Sequence, residues 1–407
     1  MKKILKIAWR NLWRNRRRTS ITAASIFFAI FFAIGMRSFQ LGSYDHMIKQ
    51  IIESYTGYLQ VQNKDYLDDP GIDNAFPVSP ELLKKINADP NVKVAVPRIE
   101  SFALASTGNL SKGVMVSGIS PEQERQMSDP AQKLVRGRYL KTDDREVLLS
   151  ERLSKYLKAG VGDSIVLMGQ GYQGASAANI YSICGIVKMP SPDLDNKLVY
   201  MTLTQAEALF SLSGQLTSIA INLKNTDEMK ETQKRLSALD GENLSVKNWE
   251  ELIPTLKQQI QGDSQSGLLF LAVLYIIIFF GVFGTVQMMI SERWREFGMM
   301  VSIGMKRGQL AAIVTIEMLF IGFIGTVLGM LAIAPCIILG HYNPFTMTGN
   351  MAQMYIDMGF DPVMPTALFD SYFFLQGVVI FLMVILASYL PVRSIMKLNV
   401  TKALHGN

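Results

Sequence analysis

Hydrophobic positions dominate four runs, residues 20–36, 267–289, 310–339 and 372–390, the last closed by Pro391. Built as a helix, 267–289 covers roughly 34 Å against about 30 Å of bilayer hydrocarbon, so four membrane helices are expected. Ahead of the first run, Ile4, Leu5, Ala8, Trp9, Leu12 and Trp13 share one helical face, with basic residues mostly opposite. This predicts an amphipathic helix within 1–18, lying among lipid headgroups with its Trp residues at the interface. Beyond the first run, Leu41, Tyr44, Ile48, Ile51 and Tyr55 recur at alternating spacings of three and four, the seam of a coiled pair. Trp249, Ile253, Leu256 and Ile260 form a second stripe just before the second run. Together they predict two adjacent stalk helices through which the chain leaves and re-enters the membrane.

Residues 57–248 carry a different pattern. Apolar β-type runs fall at 58–62, 92–105, 114–119, 146–149, 164–168, 180–187, 197–201 and 216–223. Helical periods fall at 80–88, 150–157, 204–210 and 226–239. Asp-Pro pairs at 69–70, 89–90 and 129–130 mark loops. The string GQGYQG at 169–174 lacks the phosphate-loop pattern and reads as a flexible loop or a hairpin tip. The fold expected is membrane α-helical, with an α+β domain inserted between helices 1 and 2.

Composition adds direction. With 49% hydrophobic and 18% charged residues the chain is not disordered. Its net charge of +6 is unevenly placed. Lys2, Lys3, Lys6, Arg10, Arg14, Arg16, Arg17 and Arg18 precede the first run with no acid among them, the cytoplasmic bias of a membrane protein. A nucleic-acid arm is not expected, because the apolar stripe runs straight into a span. Nor is a signal peptide, because no small-residue cleavage site follows. Residues 341–371 hold no Lys or Arg but carry Asp357, Asp361 and Asp370, so they belong on the opposite side. Met347, Met351, Met354, Met358 and Met364 give that loop an adaptable surface, for a lipidic substrate, for a partner, or simply for the outer leaflet. Cys184 and Cys336 are the only cysteines, and the second lies in an apolar run, so no disulfide is expected. His46, His341 and His405 share no metal-ligand spacing, and residues 57–248 hold no histidine for a catalytic triad. Glu317, the one acid inside the third run, is either functional or satisfied by the interface or a basic partner.

The most informative stretch is 291–305, SERWREFGMMVSIGM, between the second and third runs. It alternates Glu292, Arg293, Arg295 and Glu296 with Trp294, Phe297, Met299, Met300 and Val301. Gly298 and Gly304 permit close approach or a turn. On composition alone an ordinary interfacial turn is open, but a plain loop needs no large apolar residues between its charges. Arg293, Glu296, Phe297, Gly298, Ser302, Ile303 and Gly304 resemble the segment between the second and third membrane helices of FtsX-type (type VII) ABC permeases. The opening AWRNLWRNRRRTS and the closing PVRSIMKLNVTKAL resemble that family's ends. VSGISP (116–121), LVRGRYL (134–140) and EVLLSERLSKYLKAGVGDSIVL (146–167) resemble the extracytoplasmic domain of its MacB-like members.

The resemblance implies a bacterial inner-membrane protein with both ends cytoplasmic. Its expected segments are a cytoplasmic amphipathic helix (1–18), membrane helix 1 and stalk (19–56), and an extracytoplasmic MacB-like domain (57–248). A stalk with helix 2 (249–290), a coupling segment (291–309) and helix 3 (310–340) follow. An extracytoplasmic loop (341–371), helix 4 (372–392) and a cytoplasmic tail (393–407) complete the layout. It implies a non-catalytic permease subunit that pairs with a second copy or a related subunit and docks on a cytosolic ABC ATPase dimer. ATP and Mg would sit in that ATPase, since this chain has no G-x-x-x-x-G-K-[ST] loop. Arg293, Arg295, Glu296, Phe297, Gly298, Met299 and Gly304 are the expected ATPase contact. The layout is most similar to the lipoprotein-releasing (LolC/LolE) subunits, which implies extraction of acylated proteins from the outer leaflet and transfer to a periplasmic carrier. The alternatives are a MacB-like efflux permease working with an adaptor, and a regulator of an extracytoplasmic enzyme. No continuous polar path crosses the four runs, so motion carried by the stalks is expected to do the work. Phe27, Phe28, Phe31 and Phe32 are the candidate acyl-binding surface, with plain contact to membrane lipids as the alternative.

Overall fold

The computed structural model describes residues 2–14, 16–238, 243–358, 362–400 and 403. The side chains of Lys2, Lys3, Arg18, Asp357 and Met358, and all of Asp361, Lys402 and His405, lie outside the described residues. The chain forms two compact units.

The first unit comprises Met1–Asp45, Ile260–Thr346 and Val363–Asn407 and is helical. A leading helix, Lys2–Arg14, is followed by the first long helix, Arg16–Ile51. The second long helix is Pro254–Glu292, the third Arg307–Tyr342 and the fourth Ser371–Met396, and a connecting helix, Trp294–Ser302, joins the second to the third. Among the described residues, four helices are long and apolar enough to cross a membrane. They are apolar all round, as a bundle bathed in lipid requires. One face of each supplies the core, with Ile26, Ile30, Val282, Val286, Val314, Met318, Ile380 and Val384 buried together. The other faces leave Phe270, Ile277, Phe280, Leu331 and Leu386 exposed. The first and third helices touch most closely at Gly325 and Gly329, where an added Cβ would lie 2.8 Å from the Cβ of Ile26 and of Ile30. Small residues at such a crossing let two backbones pack directly.

Pro391 does not close the fourth helix, which runs on to Met396. A proline removes one backbone donor, and here Ala387, Ser388, Pro391 and Ile395 are all buried along one face, so packing carries the helix through the missing bond.

The second unit comprises His46–Gln259 and Met347–Pro362. Ten strands form one sheet: β1 (Leu59–Asn63), β2 (Val92–Thr107), β3 (Leu110–Ile119), β4 (Leu134–Gly137), β5 (Val147–Ser150), β6 (Ser164–Gln170), β7 (Ser176–Val187), β8 (Leu198–Thr202), β9 (Ser218–Leu223) and β10 (Leu244–Asn248). Their order is β10-β1-β9-β2-β3-β8-β5-β7-β4, and β6 pairs with β2 and β7. Among the described residues, only β3–β8 and β5–β7 are parallel pairs. Eight strands fall on the eight β-type runs of the sequence. The short, polar β4 and β10 carry no such signal. GQGYQG is the tip of the β6–β7 hairpin. Residues 341–371 are not a plain loop: Phe345–Thr346 pairs with Val363–Met364, and Gly349–Met358 is helical.

A buried ion pair crosses the core of this unit. Arg98 donates to Glu124 at 2.6 Å, and both side chains are fully buried. Arg98 also donates to the Tyr55 carbonyl at 2.5 Å, and the Tyr55 hydroxyl donates to Glu100. Burial pulls the Arg98 pKa down, but Glu124 and Glu100 outweigh it, so the guanidinium is held above its usual value. Cys184 and Cys336 are both free. Burial pushes the Cys184 thiol up to about 12, leaving it unreactive.

Candidate functional site

The connecting helix is the centre of the site. The second long helix stops at Glu292, and Arg293 leaves helical geometry with φ −96° and ψ 10° before Trp294 starts a new axis. The break turns the Arg293 side chain inward, where its Nη1 donates to Glu317 Oε2 at 2.9 Å. Asn11 of the leading helix donates to the other oxygen, Oε1, at 2.6 Å. Arg293 is 4% exposed and Glu317 2%. One buried carboxylate on the third helix thus pins the leading and the connecting helix. The Arg293 guanidinium lies 5.1 Å from the centre of the Phe297 ring, itself 1% exposed. Arg14 reinforces the clamp from outside by donating to Glu296 at 2.7 Å, and Trp9 meets Phe320 edge-on at 5.5 Å. Gly304, with φ +103°, closes the segment in a conformation that favours glycine.

The seven residues expected to meet an ATPase therefore divide. Arg293, Phe297 and Gly298 face the bundle and are buried. Arg295, Met299 and Gly304 face away, and Glu296 is half-exposed beside Arg14. Ile303, on the outward side, is 87% exposed and Met299 49%. The reason is helical spacing: positions 293 and 297 share one face, and positions 295, 299 and 302–303 the other.

The apolar stripe of the leading helix also divides. Ala8 and Leu12 are buried, whereas Leu5, Trp9 and Trp13 are exposed. Asn11 lies on the Ala8 and Leu12 side. Sequence reasoning missed Asn11 and Arg14 as members of the site. The available signal was a lone acid in an apolar run, which demands a partner without naming it.

The stalk stripes are not one apolar seam. The first and second long helices meet through polar groups: Tyr44 donates to Asp263 at 2.5 Å, Gln40 to the Asp263 carbonyl at 3.0 Å and Arg37 to Ser264 at 3.5 Å. Leu41 is half-buried against the bundle core. Ile48 and Ile51 are half-buried, and Tyr55 sits in the core of the sheet unit. Trp249 belongs to a separate short helix, Trp249–Leu252, capped by Asn248. Ile253 adopts φ −127° and ψ 69°, because the residue before Pro254 is barred from helical geometry. Leu256 is buried and Ile260 half-buried. Phe28 and Phe32 are exposed and Phe27 and Phe31 half-buried, and they stack as Phe27–Phe31 and Phe28–Phe32 with ring centres 6.2 Å apart.

Residues 19–239 match the MacB-like periplasmic core domain family, and residues 268–400 match the FtsX-like permease C-terminal family. The chain belongs to this MacB- and FtsX-type family of ABC transporter permeases. The lipoprotein-releasing system transmembrane protein LolC of Xylella fastidiosa is 25% identical over 60% of this chain and 60% of its own length. LolC of Neisseria meningitidis is 19% identical over 64% of each chain. The macrolide export ATP-binding/permease protein MacB 1 of Yersinia pestis is 23% identical over 98% of this chain and 60% of its own. The chain thus spans about 60% of the length of these curated relatives. The crystal structure of the periplasmic region of MacB from Actinobacillus actinomycetemcomitans aligns with 53% of this chain and 97% of its own, at 16% identity and a TM-score of 0.36.

Proposed function

We propose that this chain is the non-catalytic permease subunit of an ABC transporter in a bacterial inner membrane, and that its connecting helix carries force from a separate ATPase. The observation that carries this reading is the two-sidedness of that helix. One face is locked to the bundle through Arg293, Glu317 and Asn11. The other presents Arg295, Met299 and Ile303 with nothing over them. A lever must be rigid at one end and free to be gripped at the other, and a helix in a groove is a common grip. The basic residues near the leading and connecting helices support a cytoplasmic position for this end, and the absence of Lys and Arg from 341–371 supports the opposite side for that segment and the sheet unit. ATP and Mg belong to the ATPase dimer, and the permease pairs with a second permease subunit. Met299→Asp and Ile303→Asp should abolish co-purification of the ATPase while the permease inserts at normal levels. Full retention of the ATPase in both variants would overturn the docking face.

For the substrate, the LolC relatives support release of acyl-anchored proteins from the outer leaflet to a carrier. The MacB match along 98% of the chain supports a second reading, efflux through an adaptor. Depleting the permease in its native cell separates them: the first leaves acylated proteins in the inner membrane, and the second raises drug sensitivity without moving them.

A further inference from the structure

Two openings flank the start of the first long helix, and Arg16 lines both. One is an apolar groove of about 540 Å³, walled by Leu12, Trp13, Ala24, Phe27, Phe28 and Leu328. The other, about 500 Å³, is lined by Arg14 and Arg17 as well as Arg16, over Ile21, Met288 and Met289. Arg14 is already paired with Glu296, and Glu292 shares the rim, so Arg16 and Arg17 carry the positive charge offered to a ligand. The Arg16 guanidinium lies 5.9 Å from the centre of the Trp13 ring, at the mouth of the groove. From Arg16 to Phe28 the helix advances about 18 Å, against about 15 Å for the hydrocarbon of one leaflet. The groove therefore has a cationic mouth at headgroup depth and an apolar length matching one leaflet.

We propose that these openings together form a binding site for one anionic diacyl phospholipid, with an acyl chain along the groove and its phosphate between Arg16 and Arg17. Charge selects the occupant. A zwitterionic lipid would bring its own cation against the arginines, and an acylated protein carries no phosphate at its lipid anchor. Basic pockets between membrane helices favour anionic headgroups for this reason. The inference rests on the proposed reading of the chain as a membrane permease. It gives Phe27 and Phe28 a resident lipid rather than a transported acyl chain.

The test uses the purified, delipidated permease without ATPase or substrate, so its outcome does not depend on ATPase docking. Phosphatidylglycerol and phosphatidylcholine are added in turn, and bound lipid is counted by native mass spectrometry with the unfolding midpoint recorded. The wild type should retain one phosphatidylglycerol and gain stability from it, but not from phosphatidylcholine. Arg16→Gln/Arg17→Gln should bind phosphatidylglycerol roughly 30-fold more weakly. Ala24→Phe, which fills the groove from an exposed position, should lose it too. Lys6→Gln/Arg10→Gln removes equal charge from the exposed side of the leading helix and should change nothing. Equal losses in the two double variants would reveal diffuse attraction and overturn the site. Unchanged binding in Ala24→Phe would overturn it as well.

Discussion

At the scale of single residues, the clamp on Glu317 decides most. Removing Arg293 leaves a buried carboxylate with Asn11 as its remaining donor, and breaking a buried pair costs about 3–5 kcal/mol. Arg293→Ala should therefore lower the unfolding midpoint sharply, whereas Arg293→Met/Glu317→Leu should restore most of it. An undisturbed midpoint in the single variant would show that the clamp carries no stability. Lys133, in the sheet unit, offers a pH test. Burial lowers its pKa to about 8, against the pull of Glu124 and Asp129, and it donates to the Ser54 carbonyl at 3.2 Å. Between about 8 and 10.5 the unfolded chain binds the proton that the folded one gives up, so stability should rise with pH across that window. Lys133→Met should flatten the rise in a pH series of denaturation curves. The need for a partner at Glu317 was legible in the sequence. The partners' identities were not, because Arg293 is 24 positions away and Asn11 is 306, and no local pattern spans such distances.

At the scale of elements, apolar runs marked eight strands and four spans, but not β4 and β10, which hold only two apolar side chains each, too few to make a run. Pro391 was misread because a proline signals a break only where packing does not override it. The opposite error fell at Ile253, where an apolar stripe suggested a continuous helix and the following Pro254 forbade it. The crossing at Gly325 and Gly329 gives a prediction about packing. Gly325→Leu should force the first and third helices apart and cost about 1–3 kcal/mol, the usual range for overpacking. Gly284→Leu, at a glycine with open space beside it, should be nearly silent. Comparable midpoints for the two variants would refute the close approach.

At the scale of the whole molecule, topology is the reading most exposed to experiment. Asn350 lies exposed in the helix Gly349–Met358. A cysteine there, in a Cys184→Ser/Cys336→Ser background, should react with an impermeant thiol reagent on intact spheroplasts; labelling only after lysis would invert the layout. The class of the molecule was legible from its ends and its connecting segment, whereas the polar joint between the first two long helices was not, since single Tyr44, Gln40 and Asp263 residues make no pattern. The Asn11–Glu317 bond also sets a timetable. At synthesis rates of about 5–20 residues per second, Asn11 leaves the ribosome roughly 15 to 60 s before Glu317 exists. Throughout that wait Asn11 lacks the carboxylate it finally donates to, and the exposed Trp9 and Trp13 suit the leading helix to rest on lipid. On arrested nascent chains its protease sensitivity should fall most once residue 317 has entered the membrane, so a late step of assembly would be the capture of one of the first segments made.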